Sequence, residues 1–570
     1  MTLSYGQIRQ WRSEQLDAAA TALRADSDTL IGLSDEFDAM GGPKNWIGPQ
    51  AGSAATKRGE ITDVMEHLVA GIRAAVTTLT QGADAITGLV SGIQEADSLA
   101  SQNGFAIGDD GAVNDVNPPQ NVPEDRVDEV TRERERIKAE LVDRVEQNLR
   151  KATDIDQDVS GQLGKVLTGK VTDGGATSLA AAGEAGGAQG GIDPPTPPEG
   201  RGSPGDNAGW WDSLSQKEKE RVIREHPEWI GNRDGVDFTS RDQANRAMLP
   251  IEKDRLEGER DRLEGEIERG EIGKQGELDR VNEKLDAIRV IEETLAKPGE
   301  RQLVLFGTGS ERAEAAIANG NLDTAKHVAV FTPGLTSNVP DSLGNYDAQM
   351  ADLQGRAQDE LSRHGDSNEP GTVATVTWIG YQAPQLGETI FDPNSVAIEH
   401  AANRGADNLA PFLQGIDAAR DTDPHLTAMG HSYGSTTTGI ALQQNTGVDE
   451  AVFFGSPGLG TGQLDNILVP DGHNTYLEAQ GVPWKTDPVG DFGAFGVDPS
   501  HYGDINHGST SEMTLPDGRH FTDSNGHSEY LTSGTTSQYN MSLIVGGLSD
   551  RMVEGDSWDA GDVLTWIPFR

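Results

Sequence analysis

Hydrophobic positions in the first hundred residues repeat at the spacing of two amphipathic helices. The apolar residues of the first are Ile8, Trp11, Leu16, Ala19, Leu23, Leu30, Leu33 and Phe37, and those of the second are Ile61, Val64, Leu68, Ile72, Val76 and Leu79. Intervals near three, four and seven place each set on one helix face. Gly and Pro in the segment 41–48 end the first helix, so the sequence predicts an antiparallel helical hairpin.

Two segments with different compositions follow the hairpin. Residues 121–160 are strongly charged and predict a third helix, which completes an α-helical region over residues 1–160. Residues 172–208 are rich in Gly, Ala and Pro, a composition typical of a flexible or semi-rigid linker. The sequence therefore predicts a domain boundary in this second segment.

A second helical region is predicted over residues 209–300. Apolar residues between 249 and 297 follow a heptad-like pattern that glycines interrupt at 270, 273 and 276. This pattern indicates a coiled-coil-like helical hairpin with its tip at those glycines. Its role stays open between a spacer, a lid over a site and a partner-binding arm.

From residue 301 onward, short apolar runs alternate with helical segments and glycine-rich turns. The candidate strands are residues 302–306, 327–332, 373–379, 426–429, 451–455 and 475–480, and the candidate helices include residues 394–419 and 435–444. Alternating strands and helices predict a mostly parallel sheet. The expected fold class over residues 301–570 is therefore α/β.

Composition and charge narrow the classes of partner. The chain has 570 residues and a formal net charge of −46, which disfavours binding to nucleic acid or to anionic lipid. It contains no cysteine, which excludes disulfides and cysteine nucleophiles. No apolar run is long enough for a transmembrane helix, and the first residues lack the pattern of a secretory signal peptide. We therefore expect a cytoplasmic protein, or one exported by a route that needs no such signal.

The candidate nucleophile is Ser432, in Gly430-His431-Ser432-Tyr433-Gly434. The Gly-x-Ser-x-Gly pattern alone is weak, because a glycine-rich chain produces it by chance. Here an apolar strand precedes the pattern and a helix follows it. Strand, sharp turn and helix together predict a nucleophile elbow, in which the helix N-terminus faces the serine and stabilises negative charge.

Such an elbow is typical of the α/β-hydrolase fold, which we therefore expect over residues 301–570. A serine nucleophile needs a histidine base that a carboxylate orients, and in this fold the chain order is serine, acid, histidine. Asp487 follows a candidate strand and is the expected acid, with Asp491 and Asp498 as alternatives. His527 is the expected base because it lies near the end of the domain, and His507 is its alternative.

The oxyanion hole needs two backbone N–H groups. One is expected from Tyr433, the residue after the nucleophile. The other is expected from the loop after the strand 327–332, where Leu335 or Gly334 follows a proline. The alternative interpretation of this loop is a turn that merely ends a strand.

Several segments together resemble a family of actinobacterial-type α/β hydrolases long known as a domain of unknown function. In chain order these segments are Trp210-Trp211, Gly231-Asn232, 241–246, 323–328, Pro333-Gly334, 378–381, 430–434, 486–489 and 527–530. The resemblance covers about residues 210–545. It implies a catalytic triad of Ser432, Asp487 and His527, and it implies no known substrate.

The turn of the N-terminal hairpin carries a second resemblance. Trp46-Ile47-Gly48 is similar to the tripeptide of WXG-type hairpins, which type VII secretion exports. This resemblance covers about 100 residues and implies a small helical secretion partner. Such substrates often carry Tyr-x-x-x-Asp/Glu after the hairpin, and none of the eight tyrosines has an acid at that offset. The alternative is a structural hairpin in which Trp46 acts as a plug.

These observations predict a serine hydrolase of carboxylic esters, esterase-like or lipase-like, that works through an acyl-enzyme. The expected partners are a small ester or lipid substrate and, for an exported effector, a helical protein at the hairpin. No metal or organic cofactor is expected. The competing hypothesis is a helical interaction or structural protein whose hydrolase-like core is catalytically inactive.

Overall fold

The structure is a computed structural model and describes residues 3–40, 46–364, 371–385, 396–479, 487, 489 and 495–555. Its α-helices are α1 Tyr5–Ile8, α2 Glu14–Met40, α3 Pro49–Gln102, α4 Val127–Leu167, α5 Leu179–Gln189, α6 Pro204–Asp212, α7 Gln216–Glu225, α8 Phe238–Glu268, α9 Gln275–Leu295, α10 Val339–His364, α11 Val396–Ala418, α12 Tyr433–Ala441 and α13 Thr536–Val545. Its strands are β1 Phe105–Ile107, β2 Val113–Asp115, β3 Arg301–Gly307, β4 Glu314–Asn319, β5 His327–Thr332, β6 Val373–Ile379, β7 His425–His431, β8 Glu450–Phe454, β9 Asn474–Leu477, β10 Asn506–Gly508, β11 Met513–Thr514 and β12 His520–Phe521.

The chain divides into two compact units. The helical unit contains Met1–Gln120 and Ile137–Val222, and the sheet unit contains Asn121–Arg136 and Ile223–Arg570. These limits differ from the domain boundaries predicted at 160, 209 and 301. One limit falls inside α4, and composition cannot mark a boundary within a continuous helix.

The N-terminal hairpin begins differently from the prediction. The first predicted helix is divided, since α1 ends at Ile8 and α2 begins at Glu14. The Arg12 side chain donates hydrogen bonds to the carbonyls of Arg9 and Trp11, where a continuous helix would place backbone N–H donors. Residues 41–45 of the predicted turn at 41–48 lie outside the described residues, and Trp46 in the same turn is 49% exposed.

The segment 172–208 differs from the predicted linker. It contains α5 and the start of α6, and Leu179, Ala182 and Gly186 of α5 are buried. Helix α5 packs closely against α3. The small residues that suggested a linker also allow two helix backbones to approach closely, so the same composition serves a packed helix.

The sheet unit is built on an eight-stranded sheet in the order β10-β9-β8-β7-β5-β6-β4-β3. Every pairing from β10 to β6 is parallel, and the pairings β6–β4 and β4–β3 are antiparallel. The predicted mostly parallel α/β architecture is therefore confirmed. Strand β7, which precedes the candidate nucleophile, lies inside the sheet between β5 and β8.

Helices cover both faces of this sheet, and alternate strand residues contribute to two cores. In β5, Val328 and Val330 belong to one core, and Ala329 and Phe331 belong to the other. The first core includes residues of α11, and the second includes residues of α10 and α13. Burial on both faces explains why the central strands are almost continuously apolar.

The helical hairpin predicted over residues 249–297 is formed by α8 and α9. Helix α8 starts earlier than predicted, at Phe238, because the Asp237 side chain accepts a hydrogen bond from the Ser240 N–H and caps it. Both helices contribute to a third apolar cluster together with β3 and β4. Among the described residues, no helix has the length and apolar character that crossing a membrane requires.

Candidate active site

Ser432 lies at the sharp turn between β7 and α12. It is one of few described non-glycine residues with a positive φ, at 54°, which is the strained backbone typical of a nucleophile elbow. Its N–H donates to the Phe454 carbonyl at 3.0 Å, which fixes the turn to the neighbouring strand. A Cβ on Gly434 would lie 2.2 Å from the Thr332 carbonyl oxygen, so this position requires glycine.

His527 and Asp487 form a hydrogen-bonded pair. The His527 Nδ1 lies 2.9 Å from Asp487 Oδ2 and 3.1 Å from Oδ1. A carboxylate only accepts, so Nδ1 carries the proton and Nε2 is left as the basic nitrogen. The Asp487 side chain is fully buried, whereas 31% of the His527 side chain is exposed. This is the arrangement that a general base and its orienting acid require.

Tyr530 forms a further hydrogen bond to the acid of this pair. Its hydroxyl donates to Asp487 Oδ2 at 2.8 Å and accepts a hydrogen bond from the Ala479 N–H at 2.9 Å. Burial and the neighbouring Asp487 raise the pKa of Tyr530 well above its usual value, so the phenol keeps its proton. Sequence reasoning did not assign this role, and no spacing rule singles out a tyrosine three residues after the base.

The pKa of Asp487 lies below its usual value. Burial raises this pKa, but the hydrogen bonds from His527, Tyr530 and the Val489 N–H lower it by more. Asp487 therefore stays ionised at neutral pH.

The loop after β5 approaches the nucleophile. A Cβ on Gly334 would lie 2.6 Å from Ser432 Cβ and 3.0 Å from its Oγ, so the Gly334 backbone borders the serine. The Leu335 N–H donates to no acceptor in the described part of the chain. The Tyr381 hydroxyl donates to the Pro333 carbonyl at 2.6 Å and holds the start of this loop. These contacts put the Gly334 backbone beside Ser432. The second oxyanion donor, Leu335 or Gly334, stays a prediction.

Two of the three alternative site residues, His507 and Asp498, lie among the described residues. His507 is in the edge strand β10, where burial lowers its pKa, and no hydrogen bond joins it to Asp487. The Asp498 side chain accepts hydrogen bonds from the Ser500 N–H and hydroxyl. Asp491 lies outside the described residues. Of the predicted acids and bases, the structure brings together Asp487 and His527.

No hydrogen bond joins Ser432 to His527 among the described residues. In the described part of the chain, Ser432 Oγ makes no hydrogen bond. Catalytic hydrogen bonds are often long before substrate binds, so this geometry does not argue against a role for His527. No group of three or more His, Asp or Glu side chains among the described residues is arranged to hold a metal ion.

Comparison with known proteins places this chain in a family. The model of a family described as Alpha/beta hydrolase matches residues 308–480. An uncharacterized protein of Mycobacterium tuberculosis is 31% identical over 237 residues, which cover 41% of this chain and 86% of that protein. The chain belongs to the alpha/beta hydrolase family. The match leaves the activity open, because the mycobacterial relative is itself uncharacterized.

Two further known proteins resemble this hydrolase over longer parts of the chain. A second uncharacterized protein of Mycobacterium tuberculosis is 30% identical over 311 residues, covering 51% of this chain and 44% of that protein. The solved structure of a hyperthermophilic esterase from the archaeon Pyrobaculum calidifontis covers 53% of this chain and 97% of its own, at 12% identity and a TM-score of 0.27. That likeness is too distant to carry an argument about activity.

Proposed function

We propose that this hydrolase cleaves carboxylic esters through an acyl-enzyme on Ser432. The observation that carries the proposal is the contact of His527 Nδ1 with the buried Asp487, in a site where Ser432 occupies a strained elbow. A buried carboxylate bonded to one imidazole nitrogen leaves the other nitrogen basic, and that is the requirement for activating a serine.

The proposed reaction has two halves. Ser432 Oγ attacks the ester carbonyl while His527 Nε2 accepts the hydroxyl proton, and the same proton then goes to the leaving alcohol. In the second half, water attacks the acyl-enzyme while His527 Nε2 accepts a water proton. That proton then goes to Ser432 Oγ as the bond to the acyl carbon breaks, and the carboxylic acid leaves. The N–H groups of Tyr433 and Leu335 are the proposed donors to the oxyanion, and this electrostatic contribution is typically worth about 3–4 kcal/mol per donor.

The deciding experiment is labelling with a fluorescent fluorophosphonate together with turnover of p-nitrophenyl esters of increasing chain length. We expect labelling and turnover in the wild type and in Ser528→Ala, an exposed serine beside the base, and neither in Ser432→Ala. His527→Ala and Asp487→Asn should lose turnover, whereas His507→Ala should keep it. The chain-length profile separates an esterase from a lipase.

Absence of labelling in folded wild-type protein would instead favour the inactive-core hypothesis. Equal labelling of the wild type and Ser432→Ala would place the nucleophile at another serine. Each variant needs a near-ultraviolet circular dichroism spectrum that matches the wild type, so that loss of chemistry is separated from loss of fold.

A second proposed function concerns the N-terminal hairpin. We infer that it binds a small helical partner, as a type VII secretion substrate does, because large apolar side chains on it are exposed: Leu33, Trp46, Ile47, Ile61, Val64 and Leu68. Exposed apolar stripes of this kind are typical of protein-binding surfaces. Co-purification with a candidate helical partner, lost in Val64→Asp and Leu68→Asp, tests it. Unchanged co-purification in these variants contradicts it.

A further inference from the structure

His431 lies directly before Ser432, and the reaction proposed above gives it no role. Its Nε2 is 2.7 Å from the main-chain carbonyl oxygen of His527. A carbonyl only accepts, so Nε2 carries a proton. Burial and the neighbouring His527 lower the pKa of His431 from 6.5 to about 4, so the ring is neutral at neutral pH and donates this single bond.

The base is carried by a segment without regular secondary structure. His527 lies in the stretch between the end of β12 at Phe521 and the start of α13 at Thr536. No strand pairing fixes the backbone of His527 in this stretch, whereas His431 ends an interior strand of the sheet. The bond from His431 therefore joins an irregular segment to a strand that is paired on both sides, one residue from the proposed nucleophile.

Ring packing limits the movement of His431. Its ring stacks on Phe454 with centroids 5.2 Å apart and an interplanar angle of 22°. The rings of His527 and Tyr530 lie 4.7 Å and 6.0 Å away. The imidazole is thus held against a strand residue on one side and against the proposed base on another, so its Nε2–H has a fixed direction.

We propose that His431 is a positioning residue, whose Nε2–H anchors the backbone of His527 so that its imidazole can reach Ser432 during proton transfer. This inference rests on the proposed function. Ser432 and His431 are neighbours in the chain, so the bond ties the backbone of His527 to the strand end that precedes Ser432. A misplacement of the base by about 1 Å costs up to about 100-fold in rate.

The test compares His431→Leu, which removes the donor and keeps much of the volume, with His431→Gln, which retains an N–H donor. The matched control is His327→Leu. His327 is also a partly buried histidine of this sheet, and burial lowers its pKa to about 4. It begins strand β5, which pairs with β7, so it lies at the end of the sheet opposite to His431. Its Nδ1 has no hydrogen-bond partner among the described residues.

We expect His431→Leu to lower kcat for p-nitrophenyl ester turnover roughly 30- to 100-fold with KM within about threefold. The rate of fluorophosphonate labelling should fall in parallel. His431→Gln should stay within about fivefold of the wild-type kcat. His327→Leu should keep wild-type kcat, although its thermal stability changes.

A second measurement does not depend on enzymatic activity. Amide hydrogen exchange of residues 522–535 should be faster in His431→Leu than in the wild type, in His431→Gln and in His327→Leu. Equal exchange in all four proteins overturns the inference. A kcat of His431→Leu within about threefold of the wild-type kcat also overturns it. So does a kcat of His431→Gln no higher than that of His431→Leu. If the wild type itself is never labelled, the proposed function fails, and the exchange comparison still decides whether His431 holds this segment.

Discussion

The hydroxyl group of Tyr530 is expected to contribute both to stability and to turnover. Tyr530→Phe removes the donor to Asp487 Oδ2 and leaves the Ala479 N–H without this acceptor. We expect a loss of about 1–2 kcal/mol in the free energy of unfolding, because a buried N–H loses its partner. We also expect a fall in kcat, because the pKa of Asp487 rises when one of its stabilising hydrogen bonds is lost. Urea denaturation and ester turnover measure the two effects.

Tyr476→Phe is the matched control for that substitution. Tyr476 lies in strand β9 and is buried. Its hydroxyl has no hydrogen-bond partner among the described residues. Removing an unpaired buried hydroxyl is expected to leave stability unchanged or to raise it slightly. Equal losses in Tyr530→Phe and Tyr476→Phe would show that the Tyr530 hydrogen bonds contribute little.

Buried histidines make the stability of this hydrolase depend on pH. Burial, with the nearby His425 and Lys326, lowers the pKa of His327 from 6.5 to about 4. Between these two values the unfolded chain binds a proton that the folded chain does not, so stability falls as pH drops from about 6.5 to 4. His327→Gln should therefore show a smaller loss of unfolding free energy between pH 7 and pH 4.5 than the wild type. Parallel losses in both proteins would assign the acid sensitivity to other groups.

The candidate site was only partly predictable from sequence. Ser432 followed from the local strand-turn-helix pattern, and Asp487 and His527 followed from chain order, which constrains their positions only loosely. Tyr530 and His431 did not follow, because their roles depend on contacts between segments about 40 and 100 residues apart along the chain. Such contacts are set by packing of the whole unit, which no local pattern reports. The assignment of the triad to these residues stays a prediction until the labelling experiment.

Strands and helices were predictable where burial imposes a clear pattern. The predicted strands 327–332 and 373–379 coincide with β5 and β6, whose apolar residues are buried on both faces. Strand β4 was missed because its sequence, EAAIAN, is rich in alanine, which has a low intrinsic preference for strands. It forms because β3 and β6 supply hydrogen-bond partners on both sides. Tertiary pairing here overrides the local preference.

Helix α5 permits a direct test of whether the glycine-rich segment is packed. A Cβ on Gly186 would lie 2.1 Å from the Ala70 carbonyl oxygen of α3, whereas a Cβ on the adjacent Gly187 would lie 3.5 Å from Thr77 Oγ1. We expect Gly186→Ala to destabilise the helical unit by about 1–3 kcal/mol through overpacking. Gly187→Ala should be neutral or stabilising by up to about 1 kcal/mol, because alanine favours a helix. Thermal unfolding of both variants measures this, and equal effects would indicate a segment that is not packed.

For the molecule as a whole, the excess of acidic residues disfavours the folded state through repulsion. The chain carries 92 acidic and 46 basic residues, so half of the acids cannot have a basic partner of their own. Many of its ion pairs join exposed side chains, such as Arg289 with Glu293, and such pairs typically contribute well under 1 kcal/mol. Pairs such as Arg301 with Asp347 are buried and respond little to salt. Repulsion between unpaired carboxylates is therefore the electrostatic effect that salt should change most.

This balance predicts that the protein becomes more stable as ionic strength rises. The screening length falls from about 10 Å at 0.1 M salt to about 3 Å at 1 M, which removes long-range repulsion before it weakens close contacts. We expect Tm at pH 7 to rise by several degrees between low salt and 1 M NaCl, and equally with KCl, because screening does not depend on the cation. A rise with one cation alone would indicate specific binding. A fall in Tm would mean that the exposed ion pairs contribute more than the repulsion among the excess carboxylates costs.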